Sequence, residues 1–138
     1  MFEIIQSLSV TEPARQLPVA GRADVIVAGC AAAISAARCG ASVILLESSA
    51  MPGGIMTSGL MSNIIDAEGK GGFLAELIDR LRKAGAAGDY NSFDPETVKY
   101  YLEEALTAAN IRVRFNTLVS NVVCDGRAIK AVITESPS

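Results

Sequence analysis

The stretch Asp24–Glu47 constrains the fold more than any other part of the chain. Asp24-Val-Ile-Val-Ala-Gly29 is β-branched, uncharged after Asp24 and ends on glycine, the pattern of a short buried strand. Residues 30–39, CAAAISAARC, are small and Ala-rich. Ala favours helix, and its short side chain lets a helix lie close to a sheet. Gly40 supplies the C-terminal stop. Ser42-Val-Ile-Leu-Leu-Glu47 is a second buried strand with an acid at its end. Two near-continuous apolar strands joined by a helix imply parallel pairing through a right-handed crossover. The fit is tight. A helix of ten residues rises roughly 15 Å, whereas an ordinary strand of five or six residues runs ~17–20 Å.

The rest of the chain adds helices and a hairpin to that unit. Residues 48–72 are loop-like and Gly-rich, and a long loop inside a compact domain is usually functional. Phe73, Leu74, Leu77, Ile78 and Leu81 share one face at helical period, with Asp79, Arg80, Arg82 and Lys83 opposite. After a linker over 84–93, Asp94-Pro95-Glu96 starts a third helix: an N-cap, a proline at the first helical position and an acid in the first turn. Val98, Tyr101, Leu102, Ala105 and Leu106 form its buried stripe, and Asn110 caps its end. Ile111–Phe115 alternates as a strand. Leu118–Cys124 and Arg127–Thr134 flank Asp125-Gly126, a pair that predicts a type I′ hairpin. Residues 1–23, with Pro13 and Pro18, read as an extended lead-in.

Composition removes several classes of function. The 138 residues contain no His and no Trp, so a Ser-His-Asp triad, a Cys-His pair and a His-based metal site are excluded within this chain, and no metal site is expected. With 12 Lys+Arg against 15 Asp+Glu, there is no basic surplus for nucleic acid or an anionic membrane. Mean hydropathy is high at +0.34. The longest nearly apolar run, Val25–Ala37, contains Gly29 and Ser35 and stops at Arg38, short of the roughly 20 residues of a span. The N-terminus carries Glu3 and no positive n-region, unlike a signal peptide. Cys30, Cys39 and Cys124 have no metal-like spacing and read as small, buried, reduced thiols, which with the other features points to the cytoplasm.

A parallel unit that turns tightly at a strand's carboxyl end is a place to bind a dinucleotide. Backbone N–H groups at the helix N-terminus cradle the pyrophosphate, and an acid at the end of the second strand takes the ribose hydroxyls. Gly29 and Glu47 stand at those two positions. The expected turn is G-x-G-x-x-G, and here the sequence departs from it: Gly29 is the only glycine between residues 22 and 39. Gly29 and Glu47 are 18 positions apart, slightly short of the ~20 that usually separate motif and acid.

The run ADVIVAG followed by CAAAISAARCGASVILLE resembles the first unit of two-dinucleotide-binding-domain flavoproteins. More narrowly, it resembles bacterial FAD-dependent oxidoreductases with a glutathione-reductase-like FAD fold, whose turn reads G-G-G-P-A-G. Cys30–Ala41 fits that register residue for residue once five residues of the type Gly-Gly-Pro-Ala-Gly stand between Gly29 and Cys30, which would lengthen the Gly29-to-Glu47 spacing from 18 to 23. Glu12-Pro13-Ala14-Arg15 with Pro18-Val19 resembles the family's lead-in. Pro52-Gly53-Gly54-Ile55-Met56-Thr57-Ser58-Gly59 resembles its second flavin loop, and Phe93-Asp94-Pro95-Glu96 the start of its third helix.

The resemblance implies an α/β fold: a Rossmann-like parallel sheet with flanking helices and an appended antiparallel β-hairpin. Residues 24–138 would be a partial FAD/NAD(P)-binding domain, lacking the family's C-terminal remainder and substrate domain. The implied cofactor is FAD, held by Gly29, Glu47, Ser48, Gly53, Gly54, Thr57, Ser58 and Val119. Ser48, Thr57 and Ser58 would donate hydroxyl hydrogen bonds or merely shape the loop, and the Val119 backbone would face adenine unless Val119 is a plain core valine. The implied activity is hydride transfer between a small-molecule substrate and the flavin. No residue is a credible general acid or base, so no catalytic residue is named. An NAD-binding enzyme fragment and a cofactor-free structural or interaction module are the alternatives. The double glycine after the acid favours FAD over NAD, and the missing turn favours the module. Homo-oligomer formation is left open.

Overall fold

Strand β1 (Val25–Val27), helix α1 (Cys30–Arg38) and strand β2 (Val43–Leu46) form the expected parallel unit, with Val25 opposite Val43 and Val27 opposite Leu45. The computed structural model describes Ala14 and residues 16–137. Gly29 passes directly into Cys30, and its carbonyl accepts the first helical hydrogen bond from the Ala33 N–H at 2.9 Å. Nine residues of α1 rise about 14 Å. The strand it must return past has three residues, or about 10 Å. Short strands thus resolve the tight crossover. The helix closes where Gly40 N–H donates to the Ala37 carbonyl and Ala41 N–H to that of Ala36.

Helices α2 (Gly72–Lys83) and α3 (Pro95–Ala108) lead to strand β3 (Arg112–Arg114), which pairs in parallel with β2 and leaves β2 central in the order β1-β2-β3. All four β2 residues are buried. Val43 and Leu45 pack with Ala33, Ile34, Ala105, Leu106 and Ile111 in one core. A second core, of Leu77, Leu81, Phe93, Val98 and Leu102, lies between α2 and α3. On the other face of β2, Gly21 of the lead-in lies against Ile44. Arg114 donates to the Ala20 carbonyl at 2.8 Å, and Arg112 donates to that of Arg22. The described residues of 14–23 form neither helix nor strand. Ile26 on β1 remains 40% exposed, so β1 is an edge strand.

Strands β4 (Leu118–Asp125) and β5 (Ala128–Glu135) form a separate antiparallel pair. The turn differs from the expectation. Asp125 pairs with Ala128, so the two loop residues are Gly126 and Arg127. Only Gly126 has a positive φ, +58°. A positive φ confined to the first loop position is the type II′ pattern, which demands glycine there. The cysteines also differ: Cys30 is half-buried, while Cys39 and Cys124 are exposed, and all three are free. Among the described residues no helix is long and apolar enough to cross a membrane.

Candidate functional site

The carboxyl ends of β1 and β2 open on the same side because the strands are parallel, and ligands of such sheets bind there. Gly29 follows β1 and Glu47 follows β2. Gly29 has extended dihedrals (φ −142°, ψ 129°), and a Cβ added there would meet nothing within 4 Å. Neither its backbone nor its packing requires glycine. The first turn of α1 has no side-chain cap and no acidic residue.

Glu47 is half-buried and firmly placed. Its N–H donates to the Arg114 carbonyl at 2.9 Å, and its carbonyl accepts from the Thr117 N–H at 2.9 Å. One carboxylate oxygen, Oε1, accepts from the Ser49 N–H and the Ser49 hydroxyl, both at 2.8 Å. Among the described residues no donor reaches Oε2. Ser49 is the residue that the sequence reading missed. It also donates to the Met51 carbonyl at 2.7 Å, and the Asn116 N–H donates to the Ser49 carbonyl. The signal was available: a serine two positions after an acid can turn back to bond it. The neighbouring Ser48 is exposed, and its hydroxyl stands 3.5 Å from the same oxygen.

Beyond this turn the 52–59 loop is held from within. Gly53 has φ +107°, and a Cβ there would lie 2.6 Å from Thr57 Cγ2 and 2.8 Å from Leu102 Cδ1. Glycine is therefore required by the fold at this position. Gly54, at φ +54°, faces open space. Thr57 is fully buried, and its hydroxyl donates to the Pro52 carbonyl at 2.6 Å. That hydroxyl bonds inside the loop, in keeping with the loop-shaping alternative for Thr57. Ser58 donates to the Gly54 carbonyl at 2.9 Å from an exposed position. Val119 sits on β4, 40% exposed, two residues past the Thr117 that bonds Glu47.

Cys30, Glu47 and Gly53 come together at the head of α1. Burial pushes the Cys30 thiol up, the Gly53 N–H opposes that rise, and the Glu47 carboxylate adds to it. Cys30 is therefore a neutral thiol at ordinary pH. It packs against both cores. Among the described residues no cluster of His, Cys, Asp and Glu could hold a metal ion.

The sequence profile of the FAD dependent oxidoreductase family matches residues 25–138. The chain belongs to that family. The family's cofactor is FAD. Among curated proteins nothing matches. Of solved structures, the myxobacterial chondrochloren halogenase CndH, described as a new variant of FAD-dependent halogenases, is similar at 17% identity and a TM-score of 0.57, over 83% of this chain and 33% of its own. The Diels-Alderase PyrE3 of pyrroindomycin biosynthesis matches at 18% identity and a TM-score of 0.49, over 80% of this chain and 30% of its own. The chain thus spans about a third of the length of these structures.

The residues present fit the two ends of FAD's binding motif unequally. Glu47, with Oε2 free of described donors and its backbone clamped, suits the ribose hydroxyls of the adenosine end. The head of α1 does not fit the diphosphate. The helix begins at Cys30 with Cβ atoms at positions 30–33, where the motif places glycines.

Proposed function

We propose that this chain is the part of a flavin-dependent oxidoreductase that holds the adenosine end of FAD, with Glu47 as the ribose acceptor. The reaction class is hydride transfer between a small-molecule substrate and the flavin, whose ring supplies the redox chemistry when bound. The observation that carries the reading is Glu47. It follows the central strand, its backbone is bonded on both sides, and both Ser49 donors go to Oε1, leaving Oε2 free of them. The chain's own residues bind and orient. Ser49 holds the carboxylate, Thr117 and Asn116 hold the turn, and Thr57 braces the Gly53 loop from below. Gly29, Ser48, Gly54, Ser58 and the Val119 backbone are proposed as further contacts.

Amide chemical-shift mapping with adenosine and with FAD, raised to millimolar concentration, tests this. The Glu47, Ser48 and Ser49 amides should shift along a saturating curve. Hydrogen bonds to a charged acceptor contribute about 1.5–3 kcal/mol, so Glu47→Ala should weaken the adenosine interaction by roughly ten- to a hundredfold. Unmoved amides at 47–49 with both ligands would rule the reading out. They would favour a cofactor-free module, the reading that the missing turn supports.

A further inference from the structure

We infer that the site as this chain builds it seats a nucleoside, and that the diphosphate of a bound dinucleotide gains nothing from it. The inference rests on the ribose reading of Glu47. A diphosphate is held where several backbone N–H groups point at it and where glycines let the main chain come close. Here β1 runs into α1 with no intervening turn, since the Gly29 carbonyl already accepts from the Ala33 N–H. Cys30, Ala31, Ala32 and Ala33 follow, each with a Cβ.

Two further observations point the same way. The Gly53 N–H of the neighbouring loop faces the neutral Cys30 thiol, and that thiol packs against both cores. Charge is also against an anion. Between Ala23 and Ile65, the run that carries both strand ends and the 52–59 loop, the only cation is Arg38. It stands at the far end of α1 in a two-pronged pair with Glu76, at 2.8 and 3.0 Å. Glu47 is the charge that acts on Cys30 at the head of α1, where a diphosphate would sit. Without a compensating cation, that carboxylate repels the phosphates.

The experiment compares the chain with a variant carrying Gly-Gly-Pro-Ala-Gly between Gly29 and Cys30, which completes a G-x-G-x-x-G turn. FAD binding is followed by flavin fluorescence and by the Glu47–Ser49 amide shifts. The variant should bind FAD at least about a hundredfold more tightly than the parent, since each phosphate gains charge-assisted hydrogen bonds. In the parent, ADP and adenosine should bind within about threefold of each other, because the phosphates find no seat. That second comparison stands alone if circular dichroism shows the variant unfolded. ADP binding the parent about tenfold or more tightly than adenosine overturns the inference. So does a folded variant that gains nothing, while adenosine shifts at 47–49 would leave the ribose reading intact. No shift with any ligand removes that reading and this inference with it.

Discussion

Two glycines of the site are glycines for different reasons. At Gly53 the backbone sits at φ +107° and a Cβ would drive into Thr57 and Leu102. Gly53→Ala should therefore cost about 2–4 kcal/mol, from the left-handed backbone and the overpacking together, read as a lowered urea midpoint. At Gly29 the dihedrals are ordinary and the space is open, so Gly29→Ala should change stability by less than about 0.5 kcal/mol. Thr57→Val keeps the shape but strands the Pro52 carbonyl. A loss of about 1–3 kcal/mol is expected by the same measurement. The double glycine was legible in the sequence as a special loop, but its tertiary reason was not. The contact of Gly53 with Leu102 joins residues far apart in the chain. Ser49 was hidden for a related reason: two adjacent serines look alike until the backbone turns one of them toward the acid.

At the level of elements, the caps read true and one turn did not. Asp94 accepts from the Thr97 N–H at 2.8 Å, and Pro95 opens α3. The Thr97 hydroxyl and N–H hold the Asp94 carboxyl below its ordinary value of 3.8. Ser42, through its hydroxyl and N–H, does the same for Asp24, and Arg38 does so for Glu76. Each of these groups is more acidic folded than unfolded. Its stabilising contribution is complete above the unfolded value and disappears as pH falls through the lower folded value. Stability should thus be flat near neutrality and fall below about pH 4, and Asp94→Ala should lower the melting temperature at pH 7 while losing part of that acid slope. Thermal melts from pH 7 to pH 2.5 check both. Capping is local, within three residues, so sequence carried it. The hairpin turn depended on which residues pair across two strands. Pairing of Asp125 with Ala128 moved the loop one position, to Gly126-Arg127.

The described residues are organised around β2, among them the one strand buried along its full length and paired on both sides. Four consecutive apolar residues made that legible in the sequence, as the helical period of the apolar residues in α2 and α3 made their faces legible. The size of the unit was less so. Strands of three and four residues were expected to be longer, and only their shortness lets α1 close the crossover. The hairpin stands apart, with every β4 residue exposed and Ile129 69% exposed. Val122, Val123 and Ile129 are exposed apolar side chains, and association between chains is expected from them. Sedimentation velocity should show concentration-dependent self-association, and Ile129→Lys should weaken it by several-fold. A monomer at all concentrations would refute this.

The contrast between β2 and the hairpin also sets two clocks for the backbone amides. In deuterated solvent, amides of β2 bonded to β1 or β3 can exchange only when the sheet itself comes apart, so their protection reports the free energy of global unfolding. Amides of β4 and β5 are paired with a single neighbour each and lie under little apolar cover. They open in local events that leave the sheet in place, and deuterium should fill Leu118–Glu135 long before it reaches Val43–Leu46.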